Sequence, residues 1–434
     1  MFLSSYLGKF CDILFIGSGA MKRAIVLSGG GSKGAYQIGV WKALRKLKID
    51  YDIVTGTSIG SVNGIMMVQK EYHKAAFLWK NIGFDDIFDV TFPKDCNLLE
   101  VYKKYAKEFL KNGGMETSKI YEFINNSYDE KKFYKSPIDY GIITYNVSKM
   151  EPKAVTKKNN KKNLIKYVLA SSTCFPAFQI TQIDDTHFVD GGYYDNLPIN
   201  LAVDLGADEI IAVDLGAVGI KQKPNNEKVS IKYITPRNDL GSFLVFDKKL
   251  SRKAIKYGYN DTMKVYKKLD GNKFTYKKGN LFENYTRYNV KFVANIKKFL
   301  ATRSLDKTII DEIIYPQSLN KFLNTKDYKF ISDTMNKVLE YAGELLKLDD
   351  SIIYSINYYN VLLKREIDKY QAFSRSYIKK MILHKKGRKT HNRRAIVKYF
   401  YDAFNKHNAT KLEIISLAII FPKEFLTAIY IYTI

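Results

Sequence analysis

Cysteine and histidine are scarce in this chain, and acidic residues are heavily outnumbered. Its 434 residues hold 3 cysteines and 5 histidines. Cys11, Cys96 and Cys174 are odd in number and far apart. That excludes a disulfide framework and a paired-cysteine metal site, and it points to a reducing, cytoplasmic setting. No run reaches the roughly twenty uninterrupted apolar residues that a membrane-spanning helix needs. The nearest, Ile414–Ile434, is broken by Pro422, Lys423 and Glu424. It predicts a pair of terminal helices packed on the body, or a surface-docking segment. Met1–Ala20 has no basic start and is interrupted by Lys9 and Asp12, so it makes a poor signal peptide. The functional unit is expected to begin at Met21, with residues 1–20 as an extension.

What is present is basic charge: 70 Lys+Arg against 44 Asp+Glu, a net +26. Such a field attracts nucleic acid or anionic lipid head groups. The lysines are spread along the chain, however, so biased composition explains the number equally well. No recognised motif accompanies the charge, and no specific nucleic-acid contact is expected. With 46% hydrophobic and 26% charged residues the chain is an ordinary folded protein. Its length allows about two or three domains of roughly 150 residues.

The opening pattern is that of an α/β layered fold with a central, mainly parallel sheet and flanking helices. Arg23–Ser28 reads as a buried strand, Gly29–Gly34 as a turn and Ala35–Ile49 as a helix. Tyr51–Thr55 reads as a second strand, entering Gly56-Thr57-Ser58-Ile59-Gly60 and then an apolar helix through Val68. Tyr140–Asn146, Phe188–Asp190, Ile210–Asp214 and Ile231–Ile234 are further strands, and Asn163–Ser171 a helix. Beyond Asp270 strand signals fade, and helical patterns such as Phe330–Leu348 and Tyr354–Ile382 take over. The expected organisation is an extension over 1–20, an α/β domain over 21–270 and a basic, helical domain over 271–434.

Three glycine-bordered turns carry the chemistry. Gly56–Gly60 is a G-x-S-x-G sequence between a strand and a helix. A serine there is exposed on a strained turn at a helix N-terminus, where developing negative charge is favoured. Gly29-Gly30-Gly31-Ser32-Lys33-Gly34 fits the dinucleotide pattern G-x-G-x-x-G formally, with Asp50 or Asp52 near the distance for a ribose contact. That acid should end the second strand, yet here it starts it. The phosphate-loop pattern fails outright, because Ala35 and Tyr36 follow Gly34. The best reading is an oxyanion hole, in which backbone N–H groups of consecutive glycines converge on one oxygen. A base is still required, and His73, His187, His384, His391 and His407 all read more simply as surface or structural residues. Asp190-Gly191-Gly192 ends a strand in the same way as the other two turns, although D-G-G alone reads more simply as a hairpin turn.

These blocks, in this order, resemble the patatin-like phospholipases, and their bacterial members in particular. Supporting text lies at Ala170–Phe178 (ASSTCFPAF), Tyr194–Ile199 (YDNLPI), Gly206–Leu215 (GADEIIAVDL) and Gly258–Asp261. The resemblance runs from about Met21 to Lys268 and implies a three-layer fold. It implies a Ser–Asp dyad without histidine, in which Ser58 is the nucleophile and Asp190 the base. The Gly29, Gly30 and Gly31 backbone would form the oxyanion hole. Ser32, Lys33, Gly34, Gly56, Gly60, Gly191 and Gly192 would support these turns, and Lys33 stands where the family carries Arg or Lys. It further implies cleavage of fatty acyl esters of phospholipids or related lipids without metal or cofactor. A transacylase with the same dyad, a dinucleotide-dependent oxidoreductase and a catalytically idle lipid binder are the alternatives. Cys174 reads as a small buried hydrophobe. Past Asp270 the resemblance ends. There Lys385, Lys386, Arg388, Lys389, Arg393 and Arg394 form the densest basic run, expected to bring the protein peripherally onto anionic membrane.

Overall fold

Strands buried on both faces read as unbroken apolar runs, and such runs set the centre of the first unit. The computed structural model describes residues 21–88, 100, 103, 106–107, 110–300, 327–384 and 392–434. Met1–Ala20 with Cys11, and also Cys96, Lys385, Lys386, Arg388, Lys389 and His391, lie outside the described residues. The chain divides into two compact units, Met1–Val265 and Tyr266–Ile434.

In the first unit eight strands form one sheet: β1 (Arg23–Leu27), β2 (Ile53–Thr57), β3 (Asp139–Asn146), β4 (Glu151–Thr156), β5 (Thr181–Ile183), β6 (Thr186–Asp190), β7 (Glu209–Val213) and β8 (Ser230–Ile234). The order is β5-β6-β3-β2-β1-β7-β8, with β4 paired to β3. From β3 to β8 the pairings along this path are parallel, whereas β4, β5 and β6 are antiparallel additions at one side. The expected mainly parallel sheet is therefore present. Ala24, Val26, Ile53, Ile210 and Ala212 pack on one face with Leu197, Ile199 and Ala202.

Among the helices of this unit, α1 (Ala35–Lys46) and α2 (Ile59–Val68) follow β1 and β2 directly. Every residue of α2 is buried. A helix apolar on all sides is stable only inside a layered core, and this one starts beside the backbone of β1. At Gly60 an added Cβ would lie 2.3 Å from the Leu27 carbonyl oxygen, so only glycine lets α2 come so close. The helix α3 (Tyr72–Asn81) continues from α2.

The second unit is helical, as expected, with helices at Asn280–Leu300, Tyr328–Leu345, Ile356–Ile367, Arg375–His384, Arg393–Lys406, Lys411–Ile420 and Pro422–Thr433. Two details differ from the sequence pattern. Short strands at Leu269–Asp270, Thr275–Lys277 and Ile353–Tyr354 form a small sheet; strands of two or three residues leave no alternation to detect. The pattern over Tyr354–Ile382 is also not one helix. It begins in a strand, restarts where Ser355 Oγ accepts the Tyr358 N–H, and breaks between Ile367 and Arg375 at tight turns from Glu366 and Ile367. The Ile414–Ile434 stretch is a helix pair divided at Phe421-Pro422, and Ile415, Leu417, Phe425 and Ile429 are buried in the core of this unit. Among the described residues no helix is long and apolar enough to cross a membrane. Arg393 and Arg394 are engaged internally. The first pairs with Glu424 at 3.1 Å, and the second donates to the Leu345 carbonyl and lies over the Tyr370 ring.

Candidate active site

Parallel neighbours end at the same edge of a sheet, which brings the turns after β1 and β2 together. Leu27 pairs with Gly56 in register, so the Gly29–Gly34 turn and Ser58 emerge side by side. The acids of the dinucleotide reading lie at the other end. Asp52 precedes β2, and its carboxylate accepts the Arg23 N–H at 2.9 Å. A ribose contact from there to the glycine turn is geometrically closed, which removes the structural basis for that alternative.

Ser58 stands between β2 and α2 with φ 55° and ψ −129°. For a non-glycine residue this positive φ is strained, on the order of 1–3 kcal/mol, and such strain concentrates at functional turns. Its N–H donates to Ser171 Oγ at 3.0 Å, and Ser171 Oγ donates in turn to the Ile143 carbonyl at 2.7 Å. Packing is equally close on the other side, where an added Cβ at Gly29 would lie 2.9 Å from Ser58 Cβ.

Asp190 ends β6, which pairs with β3 through Thr144. One carboxylate oxygen accepts the Gly192 N–H at 2.7 Å. Burial pushes the carboxyl up to about 6, against hydrogen bonds from Gly192 and from the Ser58 side chain that hold it down. Gly191 and Gly192 open a short 3-10 turn instead of a hairpin.

Ser58, Asp190, Gly30, Gly31 and Gly192 line one cavity of about 530 Å³. The rest of its wall is largely apolar: Ile59, Val62, Ile120, Phe123, Phe178, Val218, Ile220, Leu244 and Phe246 contribute. Among the described residues, no histidine lines it. His187 lies on β6 with Nδ1 3.4 Å from Ser148 Oγ, and His73 stacks edge-on against Tyr72 in α3. His384 ends a helix of the second unit, as does His407, which has a left-handed backbone. Cys174 also lines the cavity. Burial, aided by the Asp190 charge, pushes its thiol up to about 12, which keeps it protonated and unreactive at neutral pH.

The glycine turn departs from expectation at one residue. Gly29 N–H is already engaged, donating to Asn196 Oδ1 and to the Asn196 carbonyl, each at 3.1 Å. Gly29 is thus no oxyanion donor. Gly30 and Gly31 do line the cavity, and their N–H groups have no acceptor among the described residues. Ser32 secures the turn from behind, its hydroxyl donating to the Ser242 carbonyl and its N–H to that of Phe243. Lys33 is half-buried, and the Gly34 carbonyl accepts from Asn63 Nδ2 at 3.1 Å. Ser171 and Asn196 fall within the stretches Ala170–Phe178 and Tyr194–Ile199 that support the resemblance, but nothing in that text singles either out as a site residue. The wall from Phe243 to Phe246 lies outside those stretches, and only its apolar run offers a signal.

Residues 25–203 match the family described as patatin-like phospholipase. This stretch is similar to a patatin-like phospholipase domain. It is 31% identical over 201 residues to lysophospholipase nte1 of Aspergillus terreus, covering 45% of this chain and 12% of that protein. It is 26% identical over 203 residues to patatin-like phospholipase domain-containing protein 7 of Rattus norvegicus, covering 45% of this chain and 14% of that protein. The chain therefore spans only a small fraction of the length of these curated relatives. The crystal structure of VipD from Legionella pneumophila aligns over 94% of this chain and 90% of that one, at 13% identity and a TM-score of 0.34.

Proposed function

We propose that the protein is a serine lipid acyl hydrolase of phospholipase A or lysophospholipase type, working through a Ser58–Asp190 dyad. The observation that carries this reading is a serine on a strained strand-to-helix turn that lines the same apolar cavity as a buried carboxylate. Cavity size and lining suit an acyl chain with few polar groups. In the reaction, Asp190 takes the Ser58 hydroxyl proton as Oγ attacks the ester carbonyl. The Gly30 and Gly31 N–H groups face the resulting oxyanion. Collapse expels the alcohol, which takes the proton back from Asp190, and leaves acyl-Ser58. Water, deprotonated by Asp190, then attacks this ester. It releases the fatty acid and restores Ser58. Hydrolysis of lipid acyl esters is also what the patatin-like domain and the lysophospholipase among its relatives suggest.

A carboxyl raised to about 6 serves as base only when ionised. The kcat/KM for a soluble ester is therefore expected to rise with pH, about tenfold per unit, until it levels off near 6. A fluorophosphonate probe should form its adduct on the peptide carrying Ser58. An adduct elsewhere, or a profile flat through this range, would sink the dyad.

Peripheral contact with anionic membrane belongs to the same reading and is supported by the net charge of +26. Arg393 and Arg394 are not its carriers, being held by partners within their own unit. Sedimentation with phosphatidylserine vesicles should weaken steeply as salt is added; binding indifferent to salt would rule the contact out.

A further inference from the structure

Asn196 lies six residues beyond the proposed base, is 2% exposed and lines the cavity. Its backbone ties two loops together: its N–H donates to the Ile220 carbonyl at 2.6 Å, and its carbonyl accepts the Gly29 N–H at 3.1 Å. The Ile220 N–H returns to the Gly192 carbonyl at 2.9 Å. The side chain repeats the link to the glycine turn, because Oδ1 also accepts the Gly29 N–H.

Around this amide three glycines close in, one from each loop. An added Cβ would lie 2.2 Å from Oδ1 at Gly29, 3.2 Å from Oδ1 at Gly192 and 3.0 Å from Nδ2 at Gly219. The orientation of the amide is fixed by chemistry: a flipped group would set an N–H donor against the Gly29 N–H. Held this way, Nδ2 is buried without an acceptor among the described residues. An unpaired buried donor is destabilising, so stability does not account for the choice of an amide here.

We infer that Asn196 is a positioning residue that locks the Gly29 turn against the Ser58 and Asp190 turns and so aims the Gly30 and Gly31 N–H groups into the cavity. The inference rests on the acyl-hydrolase reading of Ser58. Asn196 acts through Gly29, which sits between its Oδ1 and Ser58 Cβ. Few side chains of this size offer an acceptor in this place. Aspartate offers one, at the expense of a second carboxylate near Asp190, which would raise the pKa of the base.

The test compares wild type, Asn196→Ala, Asn196→Asp and Ser58→Ala as full chains, using p-nitrophenyl butyrate hydrolysis and thermal melting. In Asn196→Ala the Gly29 N–H keeps the backbone carbonyl as acceptor, so the fold should persist with Tm close to wild type. Its kcat should fall about 100-fold with KM within about twofold, as for misplaced transition-state donors. Asn196→Asp should recover at least about tenfold of that loss at alkaline pH, with the rising limb of its pH profile moved upward. A merely structural role would move Tm and KM together and give no such rescue. If Asn196→Ala keeps kcat within about threefold of wild type while Ser58→Ala is dead, the inference is overturned and the dyad reading stands. If Asn196→Ala does not fold, Asn196→Asp decides alone, and kcat as low as that of Ser58→Ala overturns the inference. Full activity in Ser58→Ala would remove the reading itself, and this inference with it.

Discussion

Ser58→Ala should lower kcat for ester hydrolysis by about 10⁴- to 10⁶-fold while leaving the protein folded. The size of the effect follows from the chemistry proposed for Oγ: without it there is no covalent intermediate, and water must attack directly on a surface arranged for a different nucleophile. The stability effect should be small, because the backbone framework of the turn does not depend on the hydroxyl. The Ser58 N–H stays bonded to Ser171 Oγ, and its carbonyl still accepts the Ser61 N–H at 2.8 Å. The strained φ of 55° is retained in alanine, since both residues carry a Cβ. One change accompanies the loss: Asp190 is deprived of the hydrogen bond that holds its pKa down, so its carboxyl should titrate above about 6. Rates of p-nitrophenyl butyrate hydrolysis, with melting curves for both proteins, check these points. Residual activity within about tenfold of wild type would assign the nucleophile elsewhere.

Asp190→Asn should be nearly as inactive, by about 10⁴-fold or more, and yet more stable than wild type at neutral pH. The sign follows from linkage. The folded carboxyl titrates near 6, against an ordinary value of 3.8. Between these two values the folded state holds the proton more tightly, so stability declines as pH rises through the window. Below it both states are protonated and burial has no charge to penalise. Above it the full penalty applies, at most about 3 kcal/mol. Asparagine removes the charge while keeping an acceptor for the Gly192 N–H, which approaches Oδ1 at 2.7 Å in the wild type. The variant should therefore melt several degrees higher at alkaline pH, and the gain should vanish in acid. Asp195 adds a slope of the same sign, since burial raises its carboxyl to about 6 as well. It is present in both proteins, so the difference between them isolates Asp190. A variant that melts below wild type at alkaline pH would mean that the surroundings stabilise this carboxylate.

Together the two variants describe a site that works against the fold. A serine held at positive φ, a carboxylate raised by burial and an amide nitrogen without an acceptor each destabilise the folded state. These groups all lie around one cavity, whereas the sheet beneath it is apolar and regularly paired.

Local pattern was enough for the layered α/β class, for the strands that carry the site and for the position of Ser58 at a strand-to-helix turn. β1 and β7 are buried on both faces, and that environment leaves a run of apolar residues rich in branched ones; β2 is buried too and shows the same signal only at Ile53-Val54, before its glycine turn. It was not enough for β4, an antiparallel addition with the polar text Glu151–Thr156, because its side chains are largely in water and no periodicity survives. The same limit hid the two-residue strands of the second unit. Nor could it separate the three glycines after β1. All look alike as text, but the amide of Asn196, 167 positions along the chain, engages the first N–H, while the next two glycines line the cavity with N–H groups that have no acceptor among the described residues. Hydrogen-bond direction across such a distance is a property of packing, because no run of neighbouring residues encodes which partner a backbone N–H will meet.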